Sequence, residues 1–218
     1  AKTVSDALME HRDVTGISFV GSSATASYVY RKAAEHGKRV QALGGAKNFV
    51  VVMPDALLDR TVPALLTSFF GCAGERCLSG SALVAVGDVY EPLRDRFAEA
   101  ASRLRVGYGL DEATQMGPLI SKAHLKRVLT YVERGIREGA TLLLDGRGIK
   151  VEGYPNGYFL GPTIFDNVRP DMTIAREEIF GPVVAIIRAK NLDEALRIIH
   201  ANPYGNAACI FTTNGRAA

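Results

Sequence analysis

Hydrophobic residues follow two patterns along this chain: short apolar runs, and longer stretches with an apolar residue at every third or fourth position. The run from Phe49 to Met53 ends at Pro54 and predicts a buried strand. Between Lys122 and Glu138 the apolar residues keep helical spacing, which predicts the clearest helix of the chain. This apolar stripe consists of Leu125, Val128, Leu129, Val132 and Ile136.

The same patterns divide the whole chain into alternating helices and strands. Asn191, with Glu194 three residues further on, predicts an N-cap and a capping box for the helix that begins at Leu192. This alternation predicts an α/β fold with a largely parallel sheet. The predicted helices are residues 2–10, 24–36, 57–70, 91–104, 122–138 and 192–201, and the predicted strands are 17–20, 40–43, 49–53, 82–86, 142–144, 159–165, 183–187 and 208–212.

Composition and charge exclude several classes of protein. Hydrophobic residues make up 47% of the 218 residues and the net charge is +3, which excludes disorder as the main state and argues against a nucleic-acid surface. No apolar run is long enough to span a membrane. The three cysteines form no C-x-x-C pair and the four histidines are scattered, which favours a reducing compartment and indicates no metal site. We therefore expect a cytoplasmic protein.

Cys77 is the candidate nucleophile. It lies in a glycine-rich turn after an apolar helix, where a substrate can reach it, and the adjacent Arg76 favours its thiolate form. The alternative is a buried cysteine that acts as a small hydrophobe. Cys72 follows an apolar Phe-Phe pair and Cys209 falls inside a strand pattern, so both are expected in the core.

Two further segments are candidates for cofactor binding. Gly21 and Ser22 lie between a predicted strand and a helix, and the N-terminus of a helix can hold a phosphate. The three-glycine dinucleotide fingerprint is absent, so an ordinary Ser-capped helix is the alternative there. Glu178 precedes an aromatic residue and a Gly-Pro turn, and its carboxylate could accept hydrogen bonds from two ribose hydroxyls or lie free on the surface.

The order of these motifs resembles the aldehyde dehydrogenase superfamily, and the resemblance covers the whole chain. Each motif by itself is weak evidence for a family, whereas all of them in this order are specific to this superfamily. In chain order the motifs are Phe-Val-Gly-Ser (19–22), Leu-Gly-Gly (43–45), Gly-Glu-Arg-Cys (74–77), Gly-Pro-Leu-Ile (117–120), Tyr-Phe-Leu-Gly-Pro-Thr (158–163), Glu-Glu-Ile-Phe-Gly-Pro-Val (177–183) and Tyr-Gly (204–205).

This resemblance implies a mechanism. Cys77 would attack an aldehyde to give a thiohemiacetal, hydride would pass to NAD, and a thioester would remain on Cys77. The backbone N–H of Cys77 would help to hold the oxyanion. The implied cofactor-binding residues are Gly21 and Ser22 at the pyrophosphate, Gly44 near the nicotinamide, Glu178 at the nicotinamide ribose and Phe180 beside the nicotinamide.

Ala42 departs from the pattern of the hydrolytic members, which carry a Glu at this position to activate water. A methyl group cannot act as a general base, so water attack on the thioester should be slow and a thiol should be the better acyl acceptor. Glu75 is a weak candidate for a replacement base, because it lies only two residues from Cys77 rather than across the pocket.

The segments around Ala42 and Cys77 are similar to the methylmalonate-semialdehyde dehydrogenase branch, which transfers the acyl group to coenzyme A. This branch implies oxidation of malonate or methylmalonate semialdehyde, loss of carbon dioxide, and formation of acetyl-CoA or propanoyl-CoA. Arg76 would bind the substrate carboxylate, since a guanidinium can bond it twice. The alternative for Arg76 is a structural ion pair.

The resemblance also implies that this chain is an internal fragment, because superfamily members are much longer and the first residue is not Met. Residues 1–45 would be the end of the NAD-binding domain, and residues 46–218 most of a catalytic domain that is incomplete at its C-terminus. The whole protein would be a homo-oligomer, a dimer or tetramer, in the cytoplasm or, in a eukaryote, the mitochondrial matrix. The alternatives are a hydrolytic aldehyde dehydrogenase that releases a free acid and an inactive fragment that serves only as a folded binding module.

Overall fold

Residues before Ala46 form a strand–helix–strand motif with one helix in front of it. The two strands pair in parallel, as expected where a helix makes the connection between them. Met9 of the first helix packs with Val29 and Ala33 of the second to form a small buried cluster. The elements are α1 (Lys2–Glu10), β1 (Gly16–Val20), α2 (Ser23–Glu35) and β2 (Arg39–Leu43).

The remaining residues form a six-stranded sheet with helices around it. The computed structural model describes residues 2–218, and the chain divides into two compact units, Ala1–Gly45 and Ala46–Ala218. The sheet order is β5-β6-β7-β4-β3-β8, and only β5 runs antiparallel to its neighbour. The predicted α/β fold with a largely parallel sheet is therefore confirmed. The strands are β3 (Phe49–Val52), β4 (Ala82–Val86), β5 (Thr141–Leu144), β6 (Thr163–Asp166), β7 (Val183–Ala189) and β8 (Ala208–Phe211).

The neighbouring strands β3 and β4 are apolar throughout and buried, as expected when both faces of a sheet are covered. The last long helix begins at the predicted cap, where Asn191 accepts a hydrogen bond from the N–H of Glu194 at 3.0 Å. The Glu194 carboxylate accepts from the N–H of Lys190 rather than of Asn191, so the capping box is displaced by one residue. The helices of this unit are α3 (Leu58–Phe70), α4 (Tyr90–Ser102), α5 (Lys122–Arg137), α6 (Thr173–Arg176) and α7 (Leu192–His200).

The strand predicted over residues 159–165 begins only at Thr163. Pro162 has no N–H to donate, and the N–H of Gly161 is bonded to the carbonyl of Gly146 outside the sheet. Helix α6 was not predicted, because four residues are too few to show a helical period. No helix within residues 2–218 is long and apolar enough to cross a membrane.

The expected burial of Cys72 and Cys209 is wrong, since both are exposed, as is Cys77. Cys72 has a φ of 52°, in a short 3₁₀ turn where the chain leaves the buried end of α3. Cys209 lies on β8, which is the last strand in the order of the sheet and is only partly covered. An apolar pattern predicts the strand at Cys209, but it does not predict that the strand is at an edge.

Candidate active site

Cys77 lies in a turn between α3 and β4, here called the nucleophile turn (residues 71–79). Cys72, Ala73 and Gly74 take successive left-handed conformations, with φ of 52°, 53° and 71°. Such values are unfavourable for residues with a side chain, so the surrounding structure must hold them. The turn leaves Cys77 exposed, as predicted for a residue that a substrate must reach.

The main chain at Cys77 is held by two asparagine side chains. Asn48 donates to the carbonyl of Cys77 at 2.8 Å, and Asn206 donates to the same carbonyl at 2.7 Å. Asn48 also donates to the carbonyl of Ser79 at 2.7 Å. Among residues 2–218 no acceptor takes the N–H of Cys77, so this N–H is free to bind an oxyanion.

The guanidinium of Arg76 is turned toward the end of α3. Its Nη2 donates to the carbonyls of Thr67 and Ser68 at 2.6 and 3.0 Å, and its Nε donates to the hydroxyl of Ser79 at 3.2 Å. A Cβ on Gly71 would lie 2.8 Å from Nη2, so the glycine gives the guanidinium its room. Within residues 2–218 Arg76 forms no ion pair, and its Nη1 donates no hydrogen bond, which leaves that nitrogen for a carboxylate.

Arg76, Glu178 and Phe180 line one narrow crevice together with Gly74 and Gly181. Burial raises the pKa of the Glu178 carboxyl, while the backbone N–H of Ala46 and the charge of Arg127 lower it in part. In the described part of the chain the Glu178 carboxylate has no side-chain hydrogen-bond partner. Beside the N–H of Ala46, the carboxylate can therefore still accept hydrogen bonds from a ligand.

One face of α5 holds the segment that carries Glu178 and Phe180, here called the carboxylate segment (residues 177–182). Arg127 donates to the carbonyls of Glu178 and Ile179 at 3.1 and 3.4 Å. The Tyr131 hydroxyl donates to the Glu177 carboxylate at 2.8 Å. His124 Nε2 lies 2.6 Å from the Phe180 carbonyl oxygen. Since His124, Arg127 and Tyr131 are three and four residues apart, these contacts are made from successive turns of α5.

Lys47 is a fully buried lysine below the same segment. Its Nζ donates to the carbonyls of Ile174 and Glu177 at 2.8 and 2.9 Å. Burial lowers the pKa of Lys47 to about 7, although the charges of Glu178 and Glu177 oppose this. The Lys47 side chain thus ties the segment that leads into β3 to the end of α6.

Gly21, Ser22 and Gly44 lie together at the carboxyl ends of β1 and β2. Ser22 is the N-cap of α2 and accepts from the N–H of Thr25 at 3.3 Å, so the Ser-capped helix is observed. The N–H of Gly21 donates to the carbonyl of Leu43 at 3.1 Å. A Cβ on Gly44 would lie 2.9 Å from the hydroxyl of Ser23, so a larger residue there would require Ser23 to shift. The carboxyl ends of parallel strands are where α/β folds bind ligands.

Sequence reasoning did not identify six residues that shape this site. Asn206 follows Asn-Pro-Tyr-Gly, which indicates a turn, and Lys47 is a charged residue two positions before an apolar strand. The other four residues gave no local signal that distinguishes them from ordinary polar positions. They are Asn48, His124, Arg127 and Tyr131.

The Glu75 carboxylate is occupied by other groups. It accepts from the N–H of Ile120 at 3.3 Å and lies 3.3 Å from Nε2 of His124. Its side chain is 14% exposed. These contacts argue against Glu75 as a base that activates water. Residues 2–218 contain no group of three or more His, Cys, Asp or Glu side chains placed to hold a metal ion.

Comparison with known proteins gives close matches. The model of the aldehyde dehydrogenase family matches residues 1–218. Malonate-semialdehyde dehydrogenase of Halalkalibacterium halodurans is 49% identical over 215 residues, which are 99% of this chain and 44% of that protein. The mitochondrial methylmalonate-semialdehyde/malonate-semialdehyde dehydrogenase of Bos taurus, described as acylating, is 47% identical over 211 residues, which are 97% of this chain and 39% of that protein.

A crystal structure from Sinorhizobium meliloti 1021 in complex with NAD matches with a TM-score of 0.96 and 44% identity, and the match covers 100% of this chain and 44% of that one. This chain therefore spans less than half the length of the relatives that it matches.

Proposed function

Because this chain belongs to the aldehyde dehydrogenase family, we propose that the whole protein oxidises malonate or methylmalonate semialdehyde with NAD and transfers the acyl group to coenzyme A. Two relatives named for these substrates, at 49% and 47% identity, support the substrate class. The bovine relative is described as acylating, which supports coenzyme A as the acceptor. The whole protein is proposed to be a homo-oligomer that acts on small aldehydes.

Cys77 is the proposed nucleophile, and its exposed thiol beside a free N–H is the observation that carries this assignment. Its thiolate adds to the aldehyde carbon, and the new oxyanion accepts a hydrogen bond from the N–H of Cys77. Asn48 and Asn206 fix the Cys77 carbonyl and thereby keep the sulfur in place while the carbon becomes tetrahedral.

Each of the two units, taken by itself, contains residues that suit one part of a nicotinamide dinucleotide. Within residues 2–218 the half-buried Glu178 carboxylate has no side-chain partner, and beside the N–H of Ala46 it can accept hydrogen bonds from ribose hydroxyls. The capped start of α2 at Ser22 suits a pyrophosphate. NAD, when bound, would supply the acceptor for the hydride that leaves the thiohemiacetal carbon, and a thioester would remain on Cys77.

The second half of the reaction releases the product. The substrate carboxylate leaves as carbon dioxide, and the carbanion that remains takes up a proton. The thiolate of coenzyme A then attacks the thioester carbon and expels the thiolate of Cys77. Ala42 supplies no base for water, which favours the thiol as acceptor. Arg76 is proposed to bind the substrate carboxylate before it is lost, through the Nη1 that the end of α3 leaves free.

The test is NADH formation by the whole protein with methylmalonate semialdehyde, with and without coenzyme A. We expect multiple turnovers and propanoyl-CoA only when coenzyme A is present. Without coenzyme A, one NADH for each Cys77 should form and then stop, because the thioester accumulates. Equal turnover without coenzyme A, with release of a free acid, would contradict acyl transfer and leave the oxidation itself intact.

A further inference from the structure

His124 lies between the two segments on which the proposed chemistry depends. Its Nε2 is 2.6 Å from the carbonyl oxygen of Phe180 on the carboxylate segment. The same nitrogen is 3.3 Å from Oε1 of Glu75 on the nucleophile turn. The side chains of His124 and Glu75 are 15% and 14% exposed, so both contacts are largely shielded from water.

The chemistry of these two partners determines the hydrogen on His124. A peptide carbonyl and a carboxylate are both acceptors, so Nε2 must carry the proton. It donates to the Phe180 carbonyl, and the Glu75 carboxylate lies 3.3 Å from the same nitrogen as an electrostatic contact. The ring also meets the Phe180 ring edge-on, with centroids 6.2 Å apart and planes at 75°. The backbone N–H of His124 donates to the Ser121 hydroxyl at the start of α5, which fixes the main chain from which the imidazole extends.

Phe180 needs such support because its backbone is in the left-handed region, with φ of 62°. This conformation is unfavourable for a residue with a side chain. The hydrogen bond to the Phe180 carbonyl helps to hold the peptide in that orientation. The position of the aromatic ring, which is the proposed neighbour of the nicotinamide, thus depends on the His124 donor.

The two segments also touch directly beside His124. A Cβ on Gly74 would lie 2.4 Å from the carbonyl oxygen of Gly181, so only glycine allows this approach. Gly74 adjoins Glu75, and Gly181 adjoins Phe180. The nucleophile turn and the carboxylate segment therefore meet at two neighbouring points, through a backbone contact and through the imidazole.

We propose that His124 is a positioning residue that couples the nucleophile turn to the carboxylate segment. Through Glu75 it fixes the turn that carries Cys77, and through the Phe180 carbonyl it fixes the segment that binds the nicotinamide end of NAD. Its role is to set the distance over which hydride moves, and this role rests on the proposed function of Cys77 and Glu178.

The experiment compares His124→Leu, which cannot donate, with His124→Gln, whose amide nitrogen can reach the position of Nε2. The measurement is the rate of the first NADH turnover in the whole protein, with methylmalonate semialdehyde and saturating NAD. We expect His124→Leu to lower this rate about 10- to 100-fold and His124→Gln to retain most of it. Lys126→Leu, an exposed position on the same helix, is the matched control and should leave the rate unchanged.

A double-mutant cycle with Glu75→Ala tests the coupling itself. If His124 acts through Glu75, the double variant should be no slower than the slower single variant, whereas independent roles would multiply the two losses. Melting temperatures of all variants separate loss of the donor from loss of folding. Multiplied losses, an unchanged rate in His124→Leu, or equal losses in the Gln and Leu variants at equal stability would overturn the proposal.

Failure of the proposed function has a different signature. If the wild-type protein forms no NADH with either semialdehyde, the substrate assignment fails, and propanal then serves as the probe aldehyde for the same cycle. If no aldehyde is oxidised, the cycle is measured on the dissociation constant of NAD. The coupling then requires that the single variant Glu75→Ala weaken NAD binding as His124→Leu does. Glu75 lies on the nucleophile turn and not on the segment proposed to bind NAD, so it can affect the affinity only through His124. An NAD affinity that Glu75→Ala leaves unchanged would overturn the coupling.

Discussion

The side-chain amide of Asn206 donates to the carbonyl oxygen of Cys77 at 2.7 Å, although the two residues are 129 positions apart. Asn206 precedes β8, Asn48 precedes β3, and the nucleophile turn precedes β4. These three strands are neighbours in the parallel sheet, so the segments that lead into them meet at one edge. The sheet thus brings both asparagines to the main chain of Cys77.

Asn206→Ala should lower kcat of the whole protein about 10- to 100-fold, because the Cys77 carbonyl loses one of its two donors and the sulfur is less well placed. The KM for NAD should change little, since Asn206 contacts neither Glu178 nor Phe180. Steady-state kinetics with methylmalonate semialdehyde measure both values. Asn156→Ala, at an exposed turn position, is the control. An unchanged kcat in Asn206→Ala would show that Asn48 alone is sufficient to hold the turn.

Cys77 should react with iodoacetamide faster than the other two cysteines, and a bound aldehyde should protect it. All three are exposed, so exposure alone cannot produce the difference. Partial burial of the thiol raises the pKa of Cys209, which lowers its thiolate fraction although the residue reaches the surface. Peptide mass spectrometry after timed labelling gives the three rates. Cys72 labelling as fast as Cys77, with no protection by aldehyde, would argue against Cys77 as the nucleophile.

Arg76→Leu should lower kcat/KM for methylmalonate semialdehyde by about 30-fold or more beyond any effect on propanal. Both substrates depend on the turn that Arg76 joins to α3, but only the semialdehyde has a carboxylate for the guanidinium. The ratio of the two kcat/KM values therefore isolates recognition of the carboxylate. Arg60→Leu, at an exposed position on α3, should leave the ratio unchanged. Equal losses for both substrates would assign Arg76 a structural role only.

The long elements were predictable because their periodic patterns are local. The apolar stripe of α5 predicted the helix, and the structure buries Val128 and Val132 as expected. The polar face of the same helix gave no signal, because His124 and Arg127 acquire their roles from backbone carbonyls more than fifty residues away. The glycine-rich setting of Cys77 made it the candidate nucleophile, whereas its asparagine partners depend on the order of strands in the sheet.

Ala42→Glu should increase release of free acid in the absence of coenzyme A by about 10-fold or more, since it introduces a carboxylate where hydrolytic relatives carry their base. Ala42→Gln is the matched control, because it adds similar volume without a base. The measurement is steady-state NADH formation without coenzyme A for the wild type and both variants. Acid release that rises equally in the Gln variant would indicate a change in solvent access rather than a new base.

Lys47 should make stability depend on pH between about 7 and its ordinary value of 10.5. In this window the unfolded chain holds a proton on Lys47 that the native protein does not, so the free energy of unfolding should rise with pH. The slope from this one group is at most about 1.4 kcal/mol per pH unit. This contribution is complete above about pH 10.5 and is lost as pH falls to the native pKa of about 7, below which the buried amine carries its charge in the native protein as well.

Lys47→Met removes this ionisation and keeps a side chain of similar length. Urea unfolding of the wild type and the variant at pH 7, 8 and 9 gives the difference in stability, in which the other titrating groups cancel. The wild type should gain stability relative to the variant as pH rises. Its neutral amine still has two hydrogens for the carbonyls of Ile174 and Glu177, so the contacts persist when the charge is lost. A difference that stays constant from pH 7 to 9 would place the native pKa outside this range and contradict a lysine held neutral by burial.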